Sequence, residues 1–134
     1  MLYLVPLGRL LYSAIFLMTV MGHFSPGYIA YATQAGVPAP GLLVPLSGVI
    51  ATLGGLSITL GYKAKIGAWL IVLFLVPVSL KMHNFWAVTD PMMHGIQIAL
   101  FMKNVSMLGA ALLITHFGAG PISLDTRRAS PGVM

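Results

Sequence analysis

The sequence predicts an all-α integral membrane protein, with four transmembrane helices in an antiparallel bundle and both termini in the cytoplasm. Three observations carry that expectation. Hydrophobic residues make up 58% of the 134 residues and charged residues only 7%, against about 25% charged in soluble domains, so a water-soluble fold is excluded. Four stretches each supply the roughly 20 predominantly apolar residues needed to cross about 30 Å of hydrocarbon. The cations gather on one side: Arg9, Lys63, Lys65, Arg127 and Arg128 flank the spans at one end, while Lys81 stands alone at the other with Asp90. The positive-inside rule puts the five in the cytoplasm.

The first span covers residues 4–24 and ends before Ser25-Pro26-Gly27. Arg9, the apolar run that follows it and Ala30-Tyr31-Ala32 have the outline of a secretory signal. The residues before Arg9 are mostly apolar, unlike a charged n-region, so the segment reads as the first membrane helix. Between the first two spans, Ser25 to Val37 holds Tyr28, Tyr31 and Gln34 but no charge. It is either an interfacial turn or short helix, with its rings at headgroup level, or a plain connecting loop. The second span, 40–61, opens at Pro38-Ala39-Pro40-Gly41, where proline is tolerated at a helix start. The third, 63–85, contains Pro77, read either as a bend that opens a cavity or as an ordinary membrane-helix proline. The fourth, 93–117, follows Asp90-Pro91 and stops at Gly118-Ala119-Gly120-Pro121. Residues 1–121 thus form one transmembrane domain, and 122–134 a polar cytoplasmic tail that frays at its end.

The formal charge of +5 reads as membrane orientation and not as nucleic-acid binding, because the basic residues sit at span ends and form no aromatic-studded patch. With no cysteine the chain has no disulfide, thiolate nucleophile or iron–sulfur ligand of its own. Paired carboxylates and a Gly-rich phosphate loop are missing as well, so no catalytic residue is assigned.

Helical periodicity then sorts the polar residues. Ser47, Ala51, Gly55 and Thr59 recur every four positions and make a small-residue ridge for helix packing. Arg9, Ser13, Phe16, Val20 and His23 share one face of the first span; His94, Gln97, Phe101 and Asn104 share one face of the fourth. Antiparallel folding brings His23, Ser47, Lys81, His83, Asn84, His94 and Gln97 to the outer end. A polar pocket there is the candidate ligand site; hydrogen-bonded interfacial side chains are the alternative. Lys81 and His83 are about 200° apart on a helix, so one of the two points away from such a pocket. Lys103 lies about 13 Å deeper than His94, where a charge costs about 2.5–3.5 kcal/mol. It snorkels, titrates, bonds to carbonyls, or faces an anion from a lipid, ligand or partner, and is carried as a candidate ligand residue. Met82-His83 and Met93-His94 would suit copper, and His23 with His83 a haem. Nothing further specifies either, so no metal is assigned.

Several short motifs, taken in order, resemble the DoxX family of small bacterial inner-membrane proteins: Gly8-Arg9, the Gly-Val-Pro turn at 36–38, Gly54-Gly55, Leu60-Gly61-Tyr62, Lys81-Met82-His83-Asn84-Phe85-Trp86, and Gly118 through Asp125. The resemblance implies a four-helix inner-membrane accessory subunit of a respiratory or redox complex. Its implied ligand is a quinone, with His23, His83 and Asn84 beside the carbonyls and Lys81 or Lys103 stabilising a reduced anion. The absence of cysteine argues against direct thiol exchange. The other reading is a non-catalytic structural or assembly subunit that docks a membrane partner. Partner subunits or a homo-oligomer are expected in either case. A transporter would need a second copy of the chain to build inverted halves.

Overall fold

A computed structural model describes residues 1–129. The end of the expected C-terminal tail, residues 130–134, lies outside the described residues. The elements are α1 (Leu4–Met18), which passes through Thr19 into a 3-10 turn (Val20–Phe24), α2 (Pro26–Gln34), α3 (Pro40–Leu60), α4 (Ala64–Met82), a second 3-10 turn (Phe85–Ala87), α5 (Pro91–Phe117) and α6 (Leu124–Ala129). Four helical stretches of 21, 21, 24 and 27 residues are long and apolar enough to cross a bilayer. The chain is a multi-pass membrane protein whose described residues form no strand.

Local chemistry sets the helix boundaries. Proline occupies the first turn of α2, α3 and α5, where a missing N–H leaves no bond unmade. The Ser25 hydroxyl accepts from the Tyr28 N–H at 3.3 Å, and the Asp90 carboxylate accepts from the Met93 N–H at 2.8 Å, capping α2 and α5. The segment between the first two spans is therefore a capped helix. α3 stops at Gly61, whose φ of 63° is left-handed and leads into a tight turn to α4. Pro77 sits on the exposed side of α4, which continues as one helix to Met82.

α3 is the central element, packed on α1 along one side and on α4 along another; α4 in turn packs on α5. Phe16, Ala51, Ile58, Ile71, Leu75 and Ala111 make the buried core. Leu11, Trp69, Leu73 and Leu113 face outward, as expected where lipid is the solvent. Small residues permit the close approaches. A Cβ on Gly54 would lie 2.9 Å from the Gly67 carbonyl oxygen, and one on Gly67 would lie 3.1 Å from the Gly54 oxygen, so α3 and α4 meet backbone to backbone. Gly55 lies against Phe16 and Leu17, so the Ser47–Thr59 ridge receives α1 of the same chain. Gly48 lies against the His23 ring.

The α1–α5 seam is looser, with contacts too sparse to rank among the main helix pairs. One bond crosses it: the Tyr12 hydroxyl donates to the Met107 carbonyl at 2.9 Å. Methionine 107 is thereby fixed against α1 despite lying 95 positions away.

Adding a side chain at the α3–α4 contact should separate two backbones that have no room to yield. Gly67→Val is expected to lower stability in detergent by about 1–3 kcal/mol, read from the thermal midpoint. Gly95→Ala, where an added Cβ meets nothing within 4 Å, should leave it nearly unchanged.

Candidate functional site

The end of the bundle that carries α2 and the turn between α4 and α5 holds three separate polar stations. At the first, the His23 Nδ1–H donates to the Thr19 carbonyl at 2.9 Å. Its ring stands edge-on to Tyr28 and Phe74, with centroids 5.6 and 5.7 Å away. His23, in the 3-10 turn that follows α1, is buried, as are Arg9, Ser13 and Phe16 on α1.

The second station links three elements. The His83 Nδ1–H donates to Gln97 Oε1 at 2.9 Å, Gln97 Nε2 donates to the Tyr31 hydroxyl at 3.3 Å, and that hydroxyl donates to the Met82 carbonyl at 3.3 Å. All the donors run in one direction, so the chain is self-consistent. It joins α2 to the C-terminal end of α4 and the first turns of α5.

At the third station, the His94 Nδ1–H is shared by the Phe85 carbonyl at 2.8 Å and the Val88 carbonyl at 3.2 Å. This ties α5 to the loop before it. In each of the three imidazoles the Nδ1–H bond leaves Nε2 as the ring's acceptor.

Asn84 precedes the 3-10 turn, and its carbonyl accepts from the Ala87 N–H at 3.0 Å. Ser47 bonds back to the Val44 carbonyl of its own helix at 2.7 Å. Lys81 is exposed. Lys103 is exposed on the outer surface of α5 between Met102 and Val105, whereas the adjacent Asn104 is buried. Among the described residues, no three His, Cys, Asp or Glu side chains gather as metal ligands.

The opposite end, where α1 begins and α6 lies, is more tightly bonded than a row of flanking cations would be. Arg9 is 6% exposed. Its Nη1 donates to the Ala119 carbonyl and its Nη2 to the Ile122 carbonyl, both at 2.6 Å. These oxygens belong to the segment after α5, which folds back over the bundle. Asp125 then reaches the start of α4, accepting from the Lys63 N–H at 2.7 Å and the Ala64 N–H at 3.0 Å. Its own N–H donates to the Gly61 carbonyl at 2.8 Å. A carboxylate from sixty residues downstream thus caps two of the donors that a helix start leaves unmade. Arg128 adds a cation–π contact, 4.6 Å from the centre of the Tyr62 ring. Among the described residues, Arg9 Nε and Ser13 Oγ remain buried without a partner. Two cavities adjoin Arg9, of about 280 and 270 Å³.

Sequence reasoning had placed Arg9 on the inward face of α1 but missed its acceptors, because main-chain carbonyls carry no sequence signature. Tyr31 was read as a headgroup-level ring, and its role as a hydrogen-bond link was missed for lack of a visible partner. A signal for Asp125 did exist: it is one of only two acidic residues in the chain and lies outside every span.

The SURF4 family model matches residues 43–130. The inner membrane protein YphA of Escherichia coli is 30% identical over 101 residues, 75% of this chain and 71% of that protein. The ER-derived vesicles protein ERV29 of Saccharomyces cerevisiae is 29% identical over 69 residues, 52% of this chain but only 22% of that longer protein. No solved structure matches the chain. These matches correct the DoxX resemblance, and the redox and quinone role implied by it loses its support. The correction has a physical reason: several of the motifs behind that resemblance are structural. Gly8-Arg9, Leu60-Gly61-Tyr62 and Gly118 through Asp125 build the bonded end just described and report architecture, not chemistry.

Because Arg9 and Asp125 hold one segment, their losses should not add. Asp125→Ala is expected to cost about 2 kcal/mol through the uncapped α4 donors. In a double-mutant cycle with Arg9→Met, thermal unfolding in detergent should show a coupling of about 0.5–3 kcal/mol.

Proposed function

This chain belongs to the SURF4 family, and we propose that it is a non-catalytic docking protein of the bacterial inner membrane that receives a membrane partner at its outer end. The single observation behind this reading is how the polar groups there are used. His83, Gln97 and Tyr31 bond to one another and to the main chain, and His94 bonds to two carbonyls. Such a lock fixes a rim; it does not present a reactive group. What the rim offers a partner is a set of imidazole Nε2 acceptors, the exposed Lys81 and the aromatic edge of Tyr28 and Tyr31. These suit a partner's polar groups at the headgroup boundary. His23, Asn84 and Gln97 hold the rim from behind, and Lys103 on the outer surface of α5 is a further contact for an anionic group.

The inner-membrane address is supported by the likeness to YphA, an inner membrane protein, and by the distribution of cations, which favours cytoplasmic termini. ERV29 is a protein of ER-derived vesicles, which accords with membrane association more than with chemistry. The partner is another membrane subunit or a second copy of the chain.

The test is photo-crosslinking in native membranes from a probe at position 81, followed by purification in mild detergent. Wild-type protein should give a discrete crosslinked complex, reduced at least about tenfold in His83→Ala, a loss of about 1.4 kcal/mol. A stoichiometric co-purifying quinone that disappears in His83→Ala, with no crosslinked partner, would defeat the docking reading.

A further inference from the structure

The end of the bundle that carries the termini holds a cation which the docking reading does not use. Arg9 is nine-tenths buried, and its two bonds are to neutral carbonyls. Its Nε has no partner. The nearby carboxylate, Asp125, is engaged by the Lys63 and Ala64 main-chain donors. The guanidinium charge therefore has no carboxylate of the chain bonded to it among the described residues.

A cavity of about 280 Å³ lies against this group, lined by both Arg9 and Arg127 and by no carboxylate. By volume it would hold roughly nine waters at about 30 Å³ each. The hydroxyls in it are already donors elsewhere, Thr59 to the Gly55 carbonyl and Ser123 to the Gly120 carbonyl, so the two arginines dominate its chemistry. Leu60, Ile122 and Leu124 form the apolar part of its wall, and all three are exposed on the bundle surface. On the other side of Arg9, a second cavity of about 270 Å³ runs into the loose α1–α5 seam between Tyr12, Leu113 and Ile114.

We infer that this end binds an anionic phospholipid, with its headgroup phosphate between Arg9 and Arg127 and an acyl chain along the adjoining apolar surface. A guanidinium presents its donors in a planar fork that fits phosphate oxygens. A basic pocket between membrane helices, opening onto apolar surface, selects a ligand that is anionic at one end and hydrocarbon at the other. The carboxylate missing from the cavity lining is the charge that such an anion would supply. Arg127 is exposed, so it can be removed without disturbing the core.

The test uses the full chain in detergent, with native mass spectrometry and thermal unfolding in the presence of phosphatidylglycerol, phosphatidylcholine or inorganic phosphate. Phosphatidylglycerol should be retained at least about tenfold more than phosphatidylcholine and should raise the midpoint. Arg127→Gln should abolish both effects while its lipid-free midpoint stays at the wild-type value. Arg9→Lys, which keeps the charge but loses the fork, should weaken retention. Equal retention of the two lipids, or a preference untouched by Arg127→Gln, overturns the inference. Stabilisation by inorganic phosphate without lipid preference overturns it as well, assigning the site to a free anion.

Discussion

A guanidinium held away from water must find oxygen atoms, and in a chain with so few carboxylates the backbone has to supply them. Arg9 meets that demand by drawing the segment after α5 across the mouth of the bundle. Much of that end of the molecule follows from it. The folded-back segment brings Asp125 to the start of α4, the Asp125 N–H secures the Gly61 carbonyl, and Arg128 comes over Tyr62. Gly61 has to be glycine there on two counts. Its φ is left-handed, and a Cβ would run into the Ser123 side chain and the Arg9 guanidinium. One buried cation thereby joins the first helix, the turn between the second and third spans, and the end of the chain.

Within the membrane the logic is different, because lipid tails are as apolar as the helix surfaces and provide no hydrophobic drive for helices to associate. Close approach takes over. Gly54 and Gly67 let α3 and α4 touch along their backbones, and Gly55 with Ala51 lets α1 settle on α3. The seam between α1 and α5 lacks such a device and relies on the Tyr12 hydroxyl at one level. The two ends then close by separate polar means, backbone carbonyls around Arg9 at one and the His83–Gln97–Tyr31 chain at the other. The architecture is a set of small-residue contacts stapled top and bottom.

Much of this fold could be read from the amino acids. The four spans follow from length and apolarity, and the 3.6-residue period puts Arg9, Ser13, Phe16, Val20 and His23 on one inward face, where all but the half-buried Val20 are buried. Of the face expected on the fourth span, Gln97 and Asn104 are buried and His94 and Phe101 half-buried. The period is informative there because a membrane helix has only two environments to choose between. The pairings were hidden. Nothing local says that Gln97 meets Tyr31 across 66 positions, or that Asp125 caps a helix 61 positions earlier. Those bonds depend on how the segment after each helix turns, and the Lys63 and Ile122 backbones turn through left-handed conformations that their residue types disfavour. The family resemblance misled for a related reason: motifs such as Gly61 and Asp125 mark a way of closing a bundle, and a bundle closed in that way says little about a reaction.

The capping of α4 also carries a temporal consequence. The first turn of that helix is completed by a carboxylate made about sixty residues later. As the chain is synthesised, α4 must enter the bilayer with those amides still open, and it acquires its lid only after α5 has crossed and the following segment has swung back. The third span is therefore provisional until the fourth is in place, and a ribosome that stops before Asp125 leaves the Arg9 bonds possible but the start of α4 open.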